Sequence, residues 1–274
     1  MTDLVVRRLL IDLDTPFVAR WNGGDAFSSA LFNALSMSFP AGEQFFIDSV
    51  RDGLKALPED KRAAMAAEVQ GFIGQEATHR RIHALFNGHL HTLGFDNWIE
   101  RNAQKRRDAH AGDDLRNKVA ATAATEHFTA IFADWLMRHP QVLAGAEPRL
   151  RTLWQWHSAE ESEHRNTAFD MYQALGGNHH WRIQVFKYIT ATFLQDVLRQ
   201  TVRNLRHDGS LYRWSTWRSA ARLLFSRDGM VRGNYRLWRD YFAQDFHPSL
   251  HQAVLSQQWL RDNTDQFKVV GQPA

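Results

Sequence analysis

Glu43, Glu76-Ala-Thr-His79, Glu126 and Glu161-Ser-Glu-His164 run through one order of residue types twice. A lone glutamate precedes its Glu-x-x-His partner by 33 residues in the first half and by 35 in the second. Residues three apart on a helix share a face, with Cβ atoms about 5–6 Å apart, so each Glu-x-x-His pair can reach one ion. Two such helices, with two more that supply one glutamate each, can hold two metal ions in a four-helix core. Shared carboxylates offset the repulsion between the ions. The flanks place these carboxylates on apolar or small-residue faces: Glu43 precedes Phe45-Phe46, Glu76 follows Phe72-Ile73, and Glu126 sits in Ala-Ala-Thr-Glu-His-Phe-Thr-Ala. An unliganded glutamate is expensive on such a face.

Further histidines lie along the same stripes. His157, Glu161 and His164 follow one another at helical spacing, and His83 is one turn beyond His79. With the helices that carry the two motifs antiparallel, His83 and His157 meet at one end of the site. His157 is expected as a ligand, the alternative being that it packs beside Trp154 and Trp156. His83 is expected to support the ligands, and His83 or Glu160 to serve as a catalytic base. Glu160, four residues before His164, could instead replace Glu161. Glu163 faces elsewhere, and His127 projects about 100° away from Glu126.

The elements that must carry these residues are helices. Residues 1–24 look extended and Asp25 is a plausible N-cap. Apolar residues recur at helical spacing from Ala26 to Leu57, and Pro40 predicts that the Glu43 helix starts near Phe39. Pro58-Glu59 opens a helix that ends at Gly94, and a shorter crossing helix is expected within 95–111. Helices over 113–138 and 148–175 follow, the second stopped by Gly176-Gly177. Three or four more helical segments are expected, near 179–206, 210–226, 228–245 and 248–262. No stretch alternates strictly, so the fold is expected to be all-α. It divides into an extended segment (1–24), a metal-binding bundle (25–177) and a helical extension packed on it (178–274).

Composition narrows the chemistry. There is no cysteine among the 274 residues, which excludes disulfides, iron–sulfur clusters and a thiol nucleophile. Metals must then be held by His and carboxylate, which suits iron, manganese or zinc. No long apolar run and no signal peptide is present, so a cytoplasmic protein is expected. All ten Glu lie at or before position 163; residues 165–274 carry 15 Lys and Arg against 8 Asp. An anionic carrier or membrane face could use that basic half, in which case added salt should weaken the contact. Alternatively it is a solvated face whose aromatics dock the extra helices. Nucleic acid is disfavoured by the lack of a binding motif. A homodimer and a small-molecule substrate complete the expected partners. Within the basic half, Phe186, Ile189, Phe193, Val197 and Leu198 make one helix apolar enough to cap the core and line a substrate pocket.

The ligand order over roughly residues 25–176 resembles the ferritin-like di-iron carboxylate superfamily, and the additional histidine is similar to the pattern of di-iron arylamine N-oxygenases. Phe39-Pro40-x-Gly42-Glu43-x-Phe45-Phe46, Gln75-Glu76-x-x-His79-x-x-x-His83, Glu126-His127-Phe128-Thr129 and Trp156-His157-x-x-Glu160-Glu161-x-Glu163-His164 resemble a bacterial family labelled "predicted metal-dependent hydrolase" over most of the chain. The superfamily resemblance implies a ferritin-like four-helix bundle with additional C-terminal helices. The leading expectation is a di-iron centre that activates dioxygen to oxidise a small organic substrate. The alternative is a hydrolase in which two metals acidify a water. A storage or sensing protein is the third possibility.

Overall fold

The computed structural model describes residues 4–251 and 253–271. Among these the chain is all-α apart from one two-stranded ribbon. After β1 (Arg7–Leu9) come α1 (Ala26–Ala56), α2 (Glu59–Thr92), α3 (Trp98–Ala109), α4 (Leu115–Arg138), α5 (Pro148–His164) and α6 (Thr167–Ala174). Then follow α7 (His179–His207), α8 (Trp214–Phe225), α9 (Met230–Asp240), α10 (Val254–Asp262) and β2 (Phe267–Val269). Among the described residues no helix is long and apolar enough to cross a membrane.

Local chemistry sets the helix ends. The Asp25 side chain accepts from the Ser28 amide, and Asn97, Asp114 and Asn178 cap α3, α4 and α7 in the same way. The chain leaves α2 at Gly94 (φ 82°) and α6 at Gly176 (φ 77°), left-handed positions that glycine adopts without a Cβ clash.

Two expectations about the elements are corrected and a third is extended. First, α1 does not begin near Phe39 but runs unbroken through Pro40. Proline has no amide hydrogen, so the Ser36 carbonyl loses its helical donor. Asn87 on α2 replaces it, donating Nδ2 to the Ser36 carbonyl at 2.9 Å. Second, the single helix expected over 148–175 is two, interrupted at Arg165 and Asn166. Both residues keep right-handed helical dihedrals, so the interruption is a slip in hydrogen bonding and not a reversal. Third, the extended N-terminal segment is paired: Arg7↔Val269, Arg8↔Lys268 and Leu9↔Phe267 form an antiparallel ribbon that ties the two ends of the chain together. Strands of three residues are too short for alternation to reveal.

Two hydrophobic clusters fill the bundle with a polar layer between them. On α1 one cluster takes Phe27 to Phe39 and the other Phe46 to Val50, with Glu43 between. On α2 the order reverses: Val69 and Phe72 belong to the second cluster, Ile82 to Leu90 to the first, and Glu76 and His79 lie between. On α4, Val119 to Ala124 and Trp135-Leu136 bracket Glu126; on α5 and α6, Leu150 to Ala159 and Ala168 to Tyr172 bracket Glu161 and His164. The four helices therefore run up, down, down, up, with α3 linking the two that are parallel. Beyond the bundle, α7 packs on α1 and α4, α8 on α1, α9 on α4, and α10 on α5.

Candidate metal centre

Helix periodicity delivers the polar layer. Glu43, Glu76, His79, His83, Glu126, His157, Glu160, Glu161 and His164 are all buried, none more than 4 % exposed. Ligand atoms of Glu76, His79, Glu161 and His164 lie within 4.8 Å of one another, and those of Glu43, His83 and His157 do likewise. His157 Nε2, at 2.8 Å from Glu161 Oε1, joins the two groups. Glu126 reaches the cluster from α4 through His164 Nδ1, at 3.1 Å. His127 is elsewhere: its Nε2–H donates to the Leu237 carbonyl at 3.0 Å, and burial drops its pKa to about 3.

Aromatic rings wall the layer. Trp156 meets His79 edge-on at 5.1 Å, Phe72 meets His164 at 5.1 Å, and Phe39 lies 4.6 Å from His83 and 4.8 Å from His157. Such packing fixes the imidazole planes and keeps water away, which strengthens every electrostatic interaction inside.

Hydrogen bonds define which ring nitrogens face inward. His79 Nε2 pairs with Glu160 Oε2 at 2.9 Å, while Nδ1 has no hydrogen-bond partner and sits 3.3 Å from Glu161 Oε1. Glu160 is itself held through Oε1 by Arg7 at 3.1 Å. Arg7 also grips Glu163 at 2.7 Å, and Gln75 donates to the same carboxylate at 2.8 Å. A carboxylate behind a metal-binding histidine orients the ring, and disturbing such support typically costs about 10–100-fold in metal affinity. Arg7→Ala should accordingly weaken metal binding about tenfold or more in a competitive chelator titration. Unchanged affinity would show that Glu160 holds His79 without it.

At the other end a proton count is informative. The Ser36 hydroxyl donates to Asn87 Oδ1 at 2.8 Å, so it accepts from His83 Nδ1–H at 2.9 Å. His83 Nε2 then accepts from His157 Nδ1–H at 2.6 Å. A neutral His157 is left with its Nε2 lone pair facing the Glu161 carboxylate. Two acceptors at that distance need a cation between them. A proton is a poor one, because burial pushes the His157 pKa down to about 4.

Charge is compensated unevenly. Burial, and then the neighbouring carboxylates, hold Glu76 well above the carboxylate range, and burial does the same for Glu43. Glu126 is raised by burial too. Burial also works against Glu161, but the His164 charge and the close His79 ring pull it well below. Burial disfavours charged His79, yet Glu160 and Glu161 outweigh it and lift its pKa to about 10. Both oxygens of Glu43 and Glu76, one each of Glu126 and Glu161, His79 Nδ1 and His164 Nε2 are buried without a hydrogen-bond partner. Unpaired buried acceptors of this kind cost several kcal/mol, and bound cations remove that cost. The donor set fits two hard or borderline metal ions.

A family model matches residues 5–252. The chain belongs to the family described as predicted metal-dependent hydrolases. The resemblance seen in its motifs thus covers nearly the whole of this family member. No curated protein and no solved structure matches the chain.

Sequence reasoning missed Arg7, Ser36 and Asn87. Arg7 lies 153 residues from Glu160, and Asn87 lies 51 from Ser36, so no local pattern links them.

Proposed function

We propose that this protein is a dinuclear metal-dependent enzyme, and that it hydrolyses a small organic substrate. The metal centre rests on the buried, unpartnered donors that converge from α1, α2, α4 and α5. Sequence alone ranks oxidation first; family membership moves hydrolysis ahead of it. Bound there, the ions would polarise a carbonyl or phosphoryl oxygen and acidify a water or, if redox-active, pass electrons to dioxygen.

Glu76, His79, Glu161 and His164 would hold one ion, and Glu43 and His157 the other, with Glu126 completing the set from α4. Glu160 is assigned a positioning role and not that of base, since one oxygen is bonded to His79 and the other to Arg7. Its bond to His79 Nε2 turns Nδ1 toward the cluster. His83 is assigned a similar role: with Ser36 and Asn87 it fixes the proton on His157 Nδ1 and leaves Nε2 as a donor atom. The surrounding Phe and Trp rings keep bulk water from competing for the site.

Oxidation is the second reading. It is favoured by the ligand set, which comes from four helix interiors in the up, down, down, up order that a ferritin-like bundle implies. Metal analysis followed by paired assays separates the two. Turnover of neutral ester, amide or phosphate substrates with zinc or manganese under anaerobic conditions is the expected result. Turnover that requires iron, a reductant and oxygen consumption would overturn hydrolysis in favour of oxidation. Full metal loading with neither activity would point to storage or sensing.

A further inference from the structure

A cavity of about 640 Å³ lies between α1, α3, α4 and α7, and the metal-ligand candidate Glu43 forms part of its wall. Phe39, Phe45 and Phe46 from α1 and Val185, Ile189 and Phe193 from α7 supply apolar surface. Ile189 and Phe193 are residues that sequence reasoning placed at a substrate pocket; Phe186 and Val197 are in the hydrophobic clusters, and Leu198 is exposed.

Four residues of the wall have their hydroxyls bonded to backbone carbonyls. Ser38 donates to the Leu35 carbonyl at 2.7 Å, Thr125 to Ala121 at 2.9 Å, Thr129 to Glu126 at 3.0 Å and Thr192 to Tyr188 at 2.9 Å. Each bond is to the residue's own helix. A threonine committed in this way offers the cavity its methyl group. The wall is therefore more apolar than its composition.

Charge sits among the lining residues, and both arginines are already paired. Arg106 is paired with Asp196 at 2.5 Å, and Arg107 with Asp48 at 3.5 Å. Lys118 donates to the Ala111 carbonyl at 2.6 Å. Asp108 and Asp113 add further negative charge to the lining, while Asp52 is paired with Lys55 at 3.1 Å. An anionic group entering would find both lining arginines paired, Lys118 as the remaining cation, and more carboxylates than cations in the wall. Desolvating a carboxylate against such a wall is unfavourable.

We propose that this cavity is the substrate site and selects an apolar molecule with no negative charge, such as a neutral ester or amide with a medium-length alkyl or aryl body. The inference rests on the metal-enzyme reading for the reaction, but not for the binding. It disfavours acyl-CoA and carrier-bound acyl groups, whose anionic ends would have to pass the acidic lining.

The test uses the neutral fluorophore N-phenyl-1-naphthylamine with the full chain. Ethyl octanoate should displace it at concentrations at least about tenfold lower than octanoate at neutral pH. Ile189→Trp, which fills the cavity, should weaken fluorophore binding by a similar factor while metal content stays that of the unmodified protein. Octanoate competing as well as its ester would overturn the proposal, and so would a filled variant that folds and binds the fluorophore as before. If the chain takes up no metal yet the ester still outcompetes octanoate, the metal-enzyme reading fails and the cavity assignment stands.

Discussion

Glu76→Gln is expected to make the metal-free protein more stable while abolishing metal loading. Glu76 is fully buried, neither of its oxygens has a hydrogen-bond partner, and burial and neighbouring carboxylates hold its pKa well above the usual range. Glutamine has the same shape and no charge to bury. Folding then no longer has to keep a proton on this group, which at neutral pH is worth about 1.4 kcal/mol for every pH unit by which its pKa is raised. In a chain of this size that corresponds to about 2–4 °C in melting temperature per kcal/mol. Glu161→Gln should do the opposite to the metal-free protein. Glu161 lies 3.3 Å from His79 and 3.8 Å from His164, whose pKa values are both raised, and its carboxylate is held ionised. Removing that charge leaves buried imidazolium groups uncompensated, a loss of about 3–5 kcal/mol. Both variants should lose bound metal. Calorimetry of chelator-treated protein gives the two signs, and elemental analysis gives the stoichiometry. If Glu76→Gln destabilised the metal-free protein and kept its metal, Glu76 would be a structural carboxylate and the ligand assignment would fall.

How much of this was legible in the sequence follows from how far each interaction reaches. Glu-x-x-His is an i, i+3 relation, so its geometry is set within one helical turn and the residue order reveals it. Asp25, Gly94 and Gly176 mark helix ends for equally local reasons. Pro40 shows the limit. Taken locally it ends a helix; in the fold its missing hydrogen bond is supplied by Asn87 on another helix, and α1 continues. Arg7 shows the same limit for the site. It stands in a short strand whose partner, β2, lies at the other end of the chain, and only the ribbon brings its guanidinium over Glu160 and Glu163. The meeting of His83 and His157 falls between these cases. The antiparallel run of the two helices predicts it, but the chain of hydrogen bonds through Ser36 and Asn87, which decides where the protons sit, depends on packing.

The stability of metal-free protein should fall between about pH 7 and 9 while that of metal-loaded protein holds nearly level. Take the metal-free form first. The folded pKa of His79 is about 10, above the ordinary histidine value of 6.5, so its stabilisation is complete below 6.5 and is lost as pH rises toward 10. His164 is raised as well and contributes in the same sense. Glu43 and Glu76 are carboxyls with raised folded pKa values, so above 4.5 the unfolded chain gives up protons that the folded chain keeps. The folded state then binds more protons than the unfolded one, and stability falls with pH. Groups shifted the other way do not interfere: His157 at about 4 and His127 at about 3 gain stability only up to 6.5, and the Glu161 contribution is complete above 4.5. With metal bound, the ions take the places of these protons, and binding releases them. Each pH unit should therefore favour the loaded form further, by about 1.4 kcal/mol for every proton released. Melting temperatures of chelator-treated and metal-loaded protein, measured across this range, should diverge as pH rises. Parallel curves would mean that the buried acids and histidines keep their protons in the presence of metal, and so are not its ligands.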